Sequence, residues 1–135
     1  MVGPAEGLTR LRAAAEAGEL DAFCARHRVR LLTVFGSAGR GEPDARDLDV
    51  GVMFERGAHV DLLSVVADLG ALTGAEVDVA HLNRAGPVLR ERALVGSVGL
   101  FESEAGALAT SASAATGERI DTDPMRRLDL ELLSE

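Results

Sequence analysis

The sequence contains no lysine, tryptophan or tyrosine, and its one cysteine is Cys24. Without lysine the chain cannot form the Gly-Lys pair of a phosphate-binding P-loop, so that class of nucleotide-binding protein is excluded. A single cysteine cannot form a disulfide within the chain, and it gives no indication of an oxidising compartment. Four phenylalanines are the largest apolar residues, so the core must consist mainly of Leu, Val and Ala.

Long apolar segments are also absent from the sequence. The first residues carry Glu6, Arg10 and Arg12 at helical spacing, where a signal peptide would have an uninterrupted apolar region. No apolar run approaches the roughly 20 residues that a helix needs to span a bilayer. The sequence therefore predicts a cytoplasmic protein that does not associate with a membrane.

Positive charge is scarce, since 14 arginines face 22 acidic residues and the formal net charge is −8. A surface of this sign repels phosphate backbones, so direct nucleic-acid binding is not expected. The same argument disfavours a polymerase or an RNA-tailing enzyme, which needs a basic channel for the strand. With 135 residues, 47% of them apolar and 27% charged, the composition is that of one globular domain.

Apolar periodicity predicts helices and strands in the order α-β-β-α-β-α-β-α. Such an order is typical of an α/β (α+β) fold, a small mixed sheet flanked by helices. In the helix that Pro87 opens, Leu89, Ala93 and Leu94 are expected to face inward. The predicted helices are 7–27 (in two pieces that meet near Gly18), 60–72 (ending at Gly74) and 87–96, and the predicted strands are 30–35, 48–54, 76–82 and an edge strand at 98–101.

The C-terminal part has a different composition. Residues 104–117 are mostly Ala, Ser, Thr and Gly, which is typical of a flexible linker or a weak helix. Asp123-Pro124 then predicts the start of a final helix, whose apolar stripe is formed by Met125, Leu128, Leu132 and Leu133. We predict a domain at 1–103, a linker at 104–118 and an amphipathic helix at 119–135, which docks on a partner or packs on its own sheet.

The most informative stretch is residues 35–52, which read FGSAGRGEPDARDLDVGV. A strand leads into Gly36-Ser37, and a glycine-rich turn follows. Glycine at position 36 lets the backbone approach a ligand closely, and exposed N–H groups at such a turn can bind phosphate oxygens. Ser37 can cap the short helix that follows and can donate its hydroxyl to a phosphate.

Two carboxylates follow on the next strand. Asp47 and Asp49 are two residues apart, so both side chains point to the same face, about 7 Å apart along the strand. Two carboxylates on one face repel each other unless a cation lies between them. Mg²⁺ prefers one or two carboxylates together with substrate phosphate oxygens. This pair therefore predicts a magnesium site.

A third carboxylate, Asp78, lies on the third predicted strand between Val77 and Val79. If this strand lies beside the strand that carries Asp47, Asp78 can complete a three-carboxylate site. Its role would be that of a metal ligand or of a general base for an attacking hydroxyl.

A dinucleotide-binding fold also has a strand followed by a glycine-rich turn and a helix. The glycine pattern here is G-x-x-G-x-G, however, and that fold requires G-x-G-x-x-G. The acids also arrive as a pair, ten and twelve residues after Ser37, where a ribose-binding acid should come singly about 20 residues after the motif. The sequence therefore disfavours this alternative.

The stretch resembles the signature of the polymerase-beta-type nucleotidyltransferase superfamily: Gly-Ser, about ten residues, Asp-x-Asp, and a third carboxylate on a later strand. The resemblance covers residues 20–102, and residues 77–84 (VDVAHLNR) are similar to the third-strand region of that family. The short length and the Arg40-Gly41 pair resemble the minimal nucleotidyltransferases. Members of that group are commonly paired with a HEPN-domain protein as toxin–antitoxin modules.

The resemblance implies the polymerase-beta-like nucleotidyltransferase fold, and it implies a role for each residue of the motifs. Gly36 and Ser37 would bind the phosphates of ATP or another nucleoside triphosphate. Asp47, Asp49 and Asp78 would be the catalytic acids and the ligands of Mg²⁺. Nine residues separate Ser37 from Asp47, where many relatives have ten.

The resemblance also implies a reaction and a partner. The chain would be an antitoxin that transfers AMP, or another nucleoside monophosphate, to a hydroxyl of a HEPN RNase toxin. Tyrosine is the expected acceptor, and the two proteins would form a hetero-oligomer. Another alternative is a degenerate module that neutralises its partner by binding alone. An aminoglycoside-modifying enzyme shares the signature, but it generally carries a further substrate-binding domain for which the 135 residues have no room.

Overall fold

The structure is a computed structural model that describes the backbone of residues 1–134 and the side chains of residues 1–120. Helices and strands alternate along this part of the chain much as the sequence predicts. A short helix follows directly after the first strand, where the turn at Gly36-Ser37 predicted one, although the predicted order of elements does not count it. The elements are α1 (Pro4–Glu16), α2 (Glu19–His27), β1 (Val29–Phe35), α3 (Gly36–Gly39), β2 (Leu48–Phe54), α4 (Leu62–Thr73), β3 (Val77–His81), α5 (Pro87–Leu94), β4 (Val98–Glu102) and α6 (Ala107–Ser134).

The four strands form one mixed sheet in the order β3-β2-β1-β4. Strand β1 is antiparallel to β2 and to β4, whereas β2 and β3 are parallel. Parallel neighbours need a crossover connection, and α4 supplies it. The predicted fold class is therefore confirmed, and β4 lies at an edge as expected.

Each face of the sheet is covered by its own set of helices. On one face, α1, α2 and α4 pack against the sheet, and Leu32 and Val34 of β1 lie in this core. On the other face, α5 and α6 pack against Leu31 and Phe35. Because β1 is buried on both sides, its sequence is a nearly continuous apolar run, VRLLTVF.

Glycines end or separate the first helices as the sequence predicts. Gly18 has a φ of 82° and separates α1 from α2. Gly74 has a φ of 67° and ends α4. At the other end of α4, the side chain of Asp61 accepts a hydrogen bond from the backbone N–H of Ser64.

A polar contact links the end of α2 to α4. His27 Nε2 lies 2.7 Å from Asp68 Oδ2. Arg26 forms an ion pair with the same oxygen at 3.2 Å. The hydrogen bond with His27, assisted by the charge of Arg26, lowers the pKa of Asp68.

The C-terminal segment differs from the predicted linker. Helix α6 begins at Ala107, so most of the predicted linker 104–118 is helical, and no separate helix starts at Asp123-Pro124. Ala107 and Ala115 are buried in the core with α5. The segment therefore adopts the helix that its composition allowed, and burial of these alanines against α5 stabilises it.

Ion pairs also fasten the first part of α6 to α5. Arg90 binds Glu118 at 2.8 Å, and Arg119 binds Glu91 at 2.6 Å. The predicted docking stripe, which contains Met125, Leu128, Leu132 and Leu133, lies outside the described side chains, and its docking role stays a prediction. Across the described residues, no helix combines the length and the apolar character that a bilayer crossing requires.

Helix α5 approaches the sheet closely at Gly51 of β2. The hydroxyl of Thr33, which is fully buried, donates a 2.7 Å hydrogen bond to the carbonyl of Ala93. A Cβ atom at position 51 would lie 2.7 Å from Thr33 Oγ1 and 3.3 Å from Ala93 Cβ. The absence of a side chain at Gly51 therefore fixes the distance between α5 and the sheet.

We predict that Gly51→Ala lowers the free energy of unfolding by about 1–3 kcal/mol, the usual cost of overpacking a core. The added methyl group must displace the Thr33 hydroxyl or push α5 outward. Gly117→Ala is the matched control, because nothing lies within 4 Å of a Cβ at position 117 in α6. That variant should be neutral or more stable by about 0.5–1 kcal/mol. Urea unfolding measures both, and equal midpoints for the two variants would contradict the packing account.

Candidate active site

The structure brings the three predicted acids together at one end of the sheet. Asp49 of β2 is paired with Asp78 of β3 in the parallel register, and it also faces Phe35, the last residue of β1. Asp47 directly precedes β2. All three carboxylates line one cavity of about 390 Å³, the acidic cavity. Asp47 and Asp78 are exposed, whereas Asp49 is half-buried.

The carboxylates of this cavity repel one another. Burial raises the pKa of Asp49 above its ordinary value, and the negative charges of Asp78 and Asp47 raise it further. The positive charge of Arg92 acts in the opposite direction. A site with this excess of negative charge favours binding of a cation.

Gly36 begins α3 next to this cavity. Its φ is 68°, a conformation that side chains rarely adopt, and a Cβ there would lie 2.5 Å from Asp49 Oδ2. Glycine is therefore required at position 36 for two reasons, the turn itself and the room for the Asp49 carboxylate.

A second cavity of about 290 Å³, the glycine cavity, adjoins the acidic cavity. Gly36 and Gly39 line it, together with Phe35, Arg40 and Arg92. Phe35 and Arg92 also line the acidic cavity, so the two cavities are neighbours. Glu91 lines the cavity too, but its carboxylate is paired with Arg119 at 2.6 Å. A backbone turn with two glycines and two arginines is therefore suited to an anionic group such as a phosphate.

Ser37 differs from its predicted placement. It lies inside α3, whose N-cap residue is Phe35, and no side-chain hydrogen bond caps this helix. The predicted capping role of Ser37 is therefore wrong. Ser37 is also not among the residues that line the glycine cavity, although Gly36 on its N-terminal side is. Its role in phosphate binding stays a prediction.

Sequence reasoning missed Arg92 and misplaced Leu89. Ala93 and Leu94 are buried as expected, but Leu89 is 37% exposed and lines the acidic cavity. Arg92 is three residues after Leu89 and lines the same cavity, because residues i and i+3 share a helix face. That spacing is visible in the sequence, but only the packing of α5 shows that this face points to the aspartates.

The acidic cavity does not form a complete metal cage. Among the residues that the structure describes, no three Asp, Glu, His or Cys side chains are arranged closely enough to hold a metal ion by themselves. Mg²⁺ is usually held by one or two carboxylates, with water and phosphate oxygens as its other ligands. Hard carboxylate oxygens beside a phosphate-sized cavity therefore fit a Mg²⁺ ion that is held jointly with a substrate.

Comparison with known proteins identifies the family. The model of the family described as polymerase beta, nucleotidyltransferase, matches residues 19–105, and the chain belongs to this family. A candidate protein adenylyltransferase of Methanocaldococcus jannaschii is 35% identical over 71 residues, which are 51% of this chain and 76% of that protein. The match confirms the resemblance to nucleotidyltransferases that the Gly-Ser and Asp-x-Asp motifs indicated.

Solved structures share the fold. The structure of a candidate minimal nucleotidyltransferase is 38% identical with a TM-score of 0.55, over 67% of this chain and 93% of that one. A complex of the tri-AMPylated Shewanella oneidensis HEPN toxin with an MNT antitoxin contains a chain with a TM-score of 0.67 and 15% identity. That match covers 92% of this chain and 99% of the other, and at this identity it shows the fold alone.

The raised pKa of Asp49 predicts a pH-dependent stability difference. Below the ordinary pKa of 3.8, Asp49 is protonated in both the folded and the unfolded chain, so its carboxyl group does not lower the free energy of unfolding. As the pH rises through this value, the unfolded chain releases the proton first, so the folded state loses relative stability. The loss is complete above the raised pKa of the folded state.

In the presence of a metal chelator, Asp49→Asn should therefore unfold at a higher temperature than the wild type at pH 7. For a domain of this size, each kcal/mol of stability gained raises the unfolding temperature by about 4 °C. The difference should shrink as the pH falls toward 3.8. Asp44→Asn, in the exposed loop before β2, is the control, and its effect should be small at every pH. A less stable Asp49→Asn variant at pH 7 would refute the charge-repulsion account.

Proposed function

We propose that the chain is an antitoxin that transfers AMP from ATP to a hydroxyl of a HEPN-type RNase toxin, with tyrosine as the acceptor. The observation that carries the proposal is the three-carboxylate cavity beside the glycine cavity. A relative and a structural neighbour support it: the relative is a candidate protein adenylyltransferase, and the neighbour, which shares the fold, belongs to a complex with a tri-AMPylated HEPN toxin. We expect the pair to act in the cytoplasm.

Each of the two cavities holds a part of one substrate. The triphosphate lies in the glycine cavity, against the backbone of Gly36 and Gly39 and near Arg40. The acceptor hydroxyl enters the acidic cavity beside Asp78. Asp47 and Asp49 would hold Mg²⁺, with Asp78 as a third ligand or a base. When bound, the ion would neutralise charge on the phosphate oxygens and orient the leaving group.

The transfer is a substitution at the α-phosphorus of ATP. The oxygen of the acceptor hydroxyl bonds to this phosphorus, while the bond from phosphorus to the bridging oxygen breaks. The electron pair of the broken bond leaves with pyrophosphate. The hydroxyl proton passes to the carboxylate of Asp78, which is exposed and can act as the general base.

The chemistry of the chain is suited to an acceptor on another protein. Its 135 residues contain no tyrosine, so none of them can be a tyrosyl acceptor. The net charge of −8 favours association with a basic, RNA-binding partner. A nucleotide added near an RNase site introduces bulk and negative charge that repel the RNA substrate.

Co-expression with a HEPN-type RNase toxin encoded beside this chain, the partner that the proposal requires, tests the proposal. The intact mass of that protein should increase by one or more AMP groups. Asp47→Asn or Asp49→Asn should abolish the increase because the metal site is lost, and Asp78→Asn should slow transfer by about 10²–10⁴-fold, the usual contribution of a general base. Asp44→Asn is the control, since it removes an exposed carboxylate outside both cavities.

Inhibition by occlusion alone predicts a different result. The partner would keep its unmodified mass with the wild-type chain, and the Asp47→Asn variant would still neutralise it fully. That combination would overturn the enzymatic proposal.

A further inference from the structure

Arg92 lies where the two cavities meet. It lines the glycine cavity together with Gly36, and it lines the acidic cavity together with Asp49. No other basic residue lines the acidic cavity within the described part of the chain. A ligand that extends from one cavity into the other would therefore lie close to Arg92 and to Phe35, the two residues that line both cavities.

The backbone at Arg92 is held in place from several sides. The next residue, Ala93, is fully buried, and its carbonyl accepts the hydrogen bond from Thr33. The preceding residues, Arg90 and Glu91, are fastened to α6 through their ion pairs with Glu118 and Arg119. These contacts fix the position of α5, while the side chain of Arg92 stays exposed toward the cavities.

The charges around Arg92 distinguish it from Arg40, the other arginine of the glycine cavity. Arg40 is 64% exposed and forms an ion pair with Glu42 at 3.1 Å. Arg92 is instead attracted to Asp49, whose charge it partly compensates. Binding of a cation at Asp47 and Asp49 would compensate that charge, and Arg92 would then be available to a phosphate.

We propose that Arg92 binds the triphosphate of ATP and stabilises the leaving pyrophosphate, and that in the free chain it faces Asp49 instead. The inference rests on the proposed function. A guanidinium group suits this role because it can donate two parallel hydrogen bonds to phosphate oxygens and stays charged at every working pH. The electron pair that leaves the α-phosphorus increases the negative charge on pyrophosphate, which lies in the cavity that Arg92 lines.

Binding of MgATP to the full-length chain, measured by calorimetry without the partner, tests this role separately from transfer. Arg92→Gln should weaken binding by about 10–100-fold, the range expected when charge-assisted hydrogen bonds are lost. Arg92→Lys keeps the charge but loses the paired geometry, so its affinity should fall between the two. Arg84→Gln is the matched control, since it removes an exposed arginine in the turn after β3, and it should bind like the wild type.

A merely structural counter-ion would give a different pattern. In that case Arg92→Gln would change the unfolding temperature of the ligand-free chain, but MgATP affinity would equal that of the wild type. Equal affinity would overturn the role of Arg92 even if the wild type modifies its partner. A wild-type chain without measurable MgATP binding would overturn the proposed function together with this inference. If Arg92→Gln does not fold, the Arg92→Lys variant supplies the same comparison.

Discussion

Repulsion between neighbouring carboxylates is the constraint on which the site depends. The parallel pairing of β2 and β3 places Asp49 opposite Asp78, and Asp47 lines the same cavity. Burial and these two charges raise the pKa of Asp49, so the ionised site costs folding free energy. Positive charge reduces this cost: Arg92 supplies some of it, and under the proposed function a metal ion held jointly with substrate phosphates would supply more.

The surrounding fold maintains that arrangement. Gly36 leaves room for the Asp49 carboxylate and turns the chain into the second cavity. Gly51 lets α5 approach the sheet, and the buried hydrogen bond from Thr33 to Ala93 fixes it there. The ion pairs between α5 and α6 hold the same helix from the other side. The helix that carries Arg92 is therefore positioned by the core on one face of the sheet.

Sequence patterns predicted the features that depend on residues close together in the chain. The two-residue period of a strand placed Asp47 and Asp49 together, and apolar periodicity gave the order of the elements. The position of Asp78 relative to the other two acids depends on which strands are neighbours in the sheet. The apolar periodicity of the sequence carries no information about that pairing. Arg92 was missed because the rotation of α5 is set by its packing partners. For segment 104–118 the composition left a linker and a weak helix open, because burial of small side chains such as Ala115, which composition does not show, stabilises the helix.

The central claim is that the two cavities form one site for a metal ion and a nucleotide. Paramagnetic broadening of backbone amide signals by Mn²⁺, in the presence of a non-hydrolysable ATP analogue, tests it directly. The account predicts that signals near Gly36, Asp49 and Asp78 broaden, and that broadening at Gly36 requires the nucleotide. Another cavity, of about 490 Å³, lies at the opposite end of the sheet and is lined by His27, His59, Asp61 and Asp68. Broadening confined to that cavity would contradict the claim.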